Sequence, residues 1–96
     1  MYKSKFENPE IDEPFRAVLA LKNSEDCYRF FEDICTVNEL QTIAQRLEVA
    51  KMLKSGATFN SIVEKTGAST TSISRVNRCL QYGADGYKMI LDRLGE

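Results

Sequence analysis

Histidine is absent from this 96-residue chain. That removes the Ser-His-Asp triad, the Cys-His nucleophile and any His-containing metal site. No P-loop or dinucleotide-type glycine motif is present either, and carboxylate pairs such as Glu32-Asp33 fall on predicted helix surfaces, where solvated charge accounts for them. An enzyme is therefore not expected. Cysteine is sparse: Cys27, Cys35 and Cys79 are odd in number and too widely spaced for a CxxC pair. They suit neither a disulfide framework nor a zinc site and read as reduced packing residues. Proline occurs twice and glycine five times, too seldom to interrupt regular structure often. No apolar run approaches the roughly 20 residues that span a bilayer, and the opening MYKSKFENPEIDEP lacks the apolar stretch of a signal peptide. A cytoplasmic protein with no membrane partner and no cofactor is expected.

What is present is the composition of a globular chain, 43% hydrophobic and 28% charged. Its length allows one domain with a modest core, so added burial through a second copy is plausible from size alone. The net charge of −1 conceals an uneven distribution. Residues 1–45 carry five Lys/Arg against nine Asp/Glu, a net of −4, whereas residues 46–96 carry eight against five, a net of +3. The basic excess permits a nucleic-acid surface in the second half without requiring one.

Residues 1–9 are polar and aperiodic and read as a mobile arm, ahead of a single domain over 10–96. Phe15, Val18, Leu19 and Leu21 predict a helix near 11–22, and Asn23-Ser24 supplies a break and a cap for a second helix carrying Cys27, Phe30, Phe31 and Ile34. These two helices carry more apolar surface than they can bury against each other. Thr36-Val-Asn-Glu39 has the pattern of a capping box, and Leu40, Ile43, Ala44, Leu47, Ala50 and Leu53 extend a long helix to Gly56. The first two helices need a partner surface; beyond the long helix, residues 84–94 read as a final short helix.

Between them, residues 58–80 read as a helix-turn-helix. Ile62 and Val63 supply the inner face of its first helix, Gly67 the turn, and Ile73, Val76 and Leu80 the inner face of its second. The other face of that second helix carries Thr70, Thr71, Ser72, Ser74, Arg75, Asn77 and Arg78. Short hydroxyls near a helix N-terminus allow close approach to base edges, while arginines neutralise phosphates. Thr70, Thr71 and Ser72 are thus candidate base readers. Ser74, Arg75, Arg78, Asn60 and Lys65 are candidate backbone contacts. Four hydroxyls in the five positions after Ser69 are poor helix formers, a cost that capping alone leaves unexplained.

The stretches CYRFFEDICTVNELQTIAQRLEVAKML and GASTTSISRVNRCL carry a resemblance to the tryptophan repressor superfamily, strongest to its YerC/YecD-type branch, over roughly residues 11–94. The resemblance implies an all-α, six-helix fold with a helix-turn-helix, an intertwined homodimer in which residues 10–55 are the dimerisation helices, and binding of double-stranded DNA by a transcriptional regulator, in the first instance a repressor. It also implies an effector pocket. Two arginines that hold the amino-acid corepressor in that family match Arg46 and Arg75, and a threonine matches Thr36. The glycine after the second arginine is replaced by Val76, and a serine one turn later by Cys79. Added volume in a close-packed pocket costs about 1 to 3 kcal/mol, so tryptophan is disfavoured and any small effector is a different one. The competing expectation is a helix-turn-helix docking module for another protein, because fold alone does not set function.

Overall fold

Asn8 and Pro9 together start the first helix. The Asn8 side chain accepts from the Ile11 amide at 2.8 Å, and Pro9 occupies the first helical position, where a missing N–H costs nothing. Helix α1 therefore runs Pro9–Leu19, ahead of the span that apolar spacing predicts, and Leu21 lies beyond its end. The same chemistry begins α2, Ser24–Ile34, where Asn23 accepts from the Asp26 amide. Helix α3, Val37–Lys54, begins directly after Thr36.

The computed structural model describes residues 2–95 and divides into two compact units, Met1–Val37 and Asn38–Glu96. In the first, none of the described residues is buried. Phe30 and Phe31 meet edge to face with ring centres 5.4 Å apart, yet Phe15 remains 60% exposed and Leu19 85%. Two eleven-residue helices have too little facing surface to cover their own apolar stripes.

The second unit holds the core. Val49 and Ala50 of α3 pack with Ile62 of α4 (Phe59–Thr66), with Ile73, Val76 and Leu80 of α5 (Thr70–Tyr82), and with Leu91 of α6 (Gly86–Leu94). Helices α4, α5 and α6 each offer one apolar stripe to a common centre, whereas α3 gives it the adjacent Val49 and Ala50 and carries further apolar residues, Ile43 and Leu47, elsewhere. Ala68, in the turn between α4 and α5, is buried with them. At the far end of α3, Gly56 has φ +88°, a left-handed conformation that releases the chain towards α4. Lys54 forms an ion pair of 2.7 Å with Asp92, linking the end of α3 to α6. The described residues are helical or irregular, without strand, in keeping with the all-α expectation.

The cysteines depart from their expected role. All three are free thiols, but Cys27 and Cys79 are exposed and only Cys35 is half-buried. The helical phase of Cys79 sets it beside, not among, the core positions Val76 and Leu80. No helix among the described residues is long and apolar enough to cross a membrane.

Candidate nucleic-acid interface

The α4-turn-α5 segment is built by local hydrogen bonds at each corner. Thr58 caps α4 by accepting from the Ser61 amide at 3.2 Å. At the other end of α4, Gly67 has φ +73° and donates its amide to the Val63 carbonyl. Nothing lies within 4 Å of where its Cβ would be, so glycine is required there by the backbone conformation and not by crowding. Thr66 Oγ1 donates to the Ile62 carbonyl at 2.7 Å and accepts from the Ala68 amide at 3.1 Å. Ser69 then caps α5, accepting from the Ser72 amide at 3.1 Å. Burial of Ile62 on one side and of Ile73, Val76 and Leu80 on the other locks the two helices together.

With those three positions turned inward, the opposite side of α5 presents Thr71, Ser74, Arg75 and Arg78, all exposed at helical spacing. Thr70 is exposed beside them. Neither arginine makes an ion pair among the described residues, which leaves both guanidinium groups available to an anion. Asn60 and Lys65 are exposed on α4. Ser72 sits differently: it is half-buried, and its hydroxyl accepts from Ser69 Oγ at 3.1 Å, so it belongs to the cap of the helix. Asn77 is also half-buried. Tyr82, 87% exposed and one turn beyond Arg78, extends the outer stripe. It lies outside the residues that the sequence singles out, although its four-residue spacing from Arg78 is a signal for the same face.

A groove of about 570 Å³ opens in the second unit, lined by Ile43, Arg46 and Leu47 of α3, Cys79 of α5, and Tyr87 and Ile90 of α6. Burial raises the Tyr87 phenol above its ordinary pKa of 10.0, Cys79 adds to the rise, and the Arg46 guanidinium opposes it. Of the residues that the family resemblance assigns to an effector pocket, Arg46 and Cys79 line this groove. Val76 faces the core at 3% exposure, and Arg75 lies exposed on the outer side of α5. Thr36 belongs to the first unit and is exposed. Tyr87 was not among the sequence candidates, since a lone tyrosine on a short amphipathic helix reads as ordinary packing.

Comparison with known proteins gives a consistent picture. The family model described as Trp repressor protein matches residues 9–95. The uncharacterized protein YerC of Bacillus subtilis strain 168 is 55% identical over 96 residues, covering 100% of this chain and 92% of YerC. The crystal structure of a candidate Trp repressor from Staphylococcus aureus superposes with a TM-score of 0.90 at 55% identity, over 95% of this chain and 91% of that one. A TrpR-like protein from Eubacterium eligens gives 0.91 at 52% identity, over 95% and 94%. With the family model matched over residues 9–95 and a relative 55% identical over the whole chain, this chain belongs to the Trp repressor family, a family of regulatory DNA-binding proteins.

Proposed function

We propose that this protein is a sequence-specific transcriptional regulator acting by repression, which binds duplex DNA as a homodimer with α5 in the major groove. The observation that carries the reading is the two-faced character of α5. Ile73, Val76 and Leu80 are spent on the core, while Thr71, Ser74, Arg75 and Arg78 form an exposed stripe of hydroxyls followed by cations. Thr70 and Thr71 read base edges near the helix N-terminus, whereas Ser74, Arg75 and Arg78, with Asn60 and Lys65 on α4, contact the phosphate backbone. Ser72 contributes through the cap it forms with Ser69. Two copies place their recognition helices about one helical turn of DNA apart, roughly 34 Å. The second copy covers the apolar residues of α1 and α2 that one chain leaves in solvent. A small effector other than tryptophan has its candidate seat in the groove beside Arg46, whose guanidinium suits an anionic group.

Selection of bound duplexes from a random pool, with and without amino acids, tests the reading. A two-fold symmetric site is expected, with affinity that falls steeply as salt rises through counterion release. Thr71→Ala changes the selected sequence. Arg78→Ala weakens all duplexes alike and lowers the salt slope by about 1. A pool with no enriched duplex, or binding insensitive to salt, replaces this reading with that of a protein-docking module.

A further inference from the structure

Gln45 lies on α3, far in sequence from the helix-turn-helix, yet its Nε2 donates to the carbonyl oxygen of Thr66 at 3.2 Å across 21 residues. The side chain is half-buried and stands one helical turn before Val49, on the face of α3 that meets the core. Its acceptor is the last carbonyl of α4, one of the terminal carbonyls that a helix leaves without an internal partner. The peptide unit so held leads directly into Gly67, where the backbone turns left-handed, and then through buried Ala68 to the Ser69 cap of α5. The neighbouring groups are already committed: the Gly67 amide to Val63, the Ala68 amide to Thr66 Oγ1, and Thr66 Oγ1 to Ile62. These bonds are all local to the turn and set its shape. The bond from Gln45 ties that shape to a different helix.

We propose that Gln45 is a positioning residue for base recognition, fixing the angle at which α5 leaves the turn and so the reach of Thr70 and Thr71. The proposal rests on the reading of α5 as the DNA-reading helix. The lever is long. At 1.5 Å rise per residue, Thr70 stands roughly 15 Å along α5 from the buried Leu80 that anchors its far end, so a tilt of about 10° about Leu80 moves Thr70 by about 3 Å. A displacement of that size is larger than the tolerance of a hydrogen bond to a base edge but leaves long arginines able to reach phosphate. Gln45 therefore controls discrimination between sequences more than it controls total affinity.

The test measures the ratio of affinities for the selected duplex and a random duplex of equal length, together with the thermal midpoint, in the full-length protein and three variants. Gln45→Met keeps the length and loses the donor; Gln45→Glu sets an acceptor against the Thr66 carbonyl; Gln45→Lys restores a donor. The expected result is a fall of about 3- to 10-fold in the ratio for Met and Glu, the scale of one hydrogen bond, with random-duplex affinity kept by Met and the ratio recovered in Lys. An unchanged ratio in Met and Glu, a loss that only follows a lowered folded fraction, or no recovery in Lys overturns the role of Gln45 while leaving the DNA reading intact. A wild-type protein that prefers no duplex overturns the DNA reading, and the positioning role falls with it.

Discussion

The two units of this chain solve the same problem with different success. Residues 38–96 gather Val49, Ala50, Ile62, Ala68, Ile73, Val76, Leu80 and Leu91 into one core, whereas residues 2–37 bury none of theirs despite Phe15, Val18, Leu19, Phe30 and Phe31. Composition does not explain the difference, because both stretches are amphipathic. Geometry does. Four helices supply enough facing stripes to enclose a centre, and two short ones do not. The first unit therefore leaves its apolar surface in solvent, and the second unit holds α5 rigidly against a core.

The largest expected effect breaks the self-sufficient unit. Ile73→Ala removes a fully buried side chain and should lower stability by about 2 to 5 kcal/mol, read by denaturant unfolding and equal at all protein concentrations. Phe15→Ser acts in the other unit. If a second copy covers it, roughly 1.5 to 3 kcal/mol of burial is lost, and sedimentation should show a shift from two chains towards one, with unfolding that depends on concentration. Unchanged mass would show that Phe15 does not lie between two copies. Gly67→Ala should cost about 1 to 2 kcal/mol through the left-handed backbone alone, since its Cβ meets nothing. A neutral result would mean the turn can relax.

The smallest effect is a pH dependence in the groove. The Tyr87 pKa is raised in the folded chain, first by burial, so the folded state keeps its phenol proton where the unfolded state loses it. The linked stability is whole below the unfolded value of 10.0 and declines as pH rises from there towards the folded value. Tyr87→Phe should flatten that alkaline decline in unfolding titrations. An identical decline in the variant would assign it to other groups.

Much of the helix-turn-helix was legible because its signals are local. A three- and four-residue apolar period, a glycine where φ must be positive, and a serine before a run of hydroxyls each act within a few bonds of the residue that carries them. The inner faces of α4 and α5 and the start of α5 at Thr70 follow from such signals. The start of α1 was legible too: Asn8-Pro9, assigned with residues 1–9 to a mobile arm, is a cap followed by a first-turn proline. Ser72 shows the limit of local reading. A hydroxyl on the first turn looks free for a base until the rotamer of Ser69 is known.

The sequence by itself determined the helices, the glycine turn and the polar outer face of α5, because helix period and capping depend on neighbours in the chain. Only the tertiary structure decided that Gln45 would hold the Thr66 carbonyl, that Cys79 would share a groove with Arg46 and Tyr87, and that all deep burial among the described residues would fall in the second unit. Those outcomes depend on which helices meet and at what rotation. Such pairings are set by packing between distant segments, which no local pattern encodes.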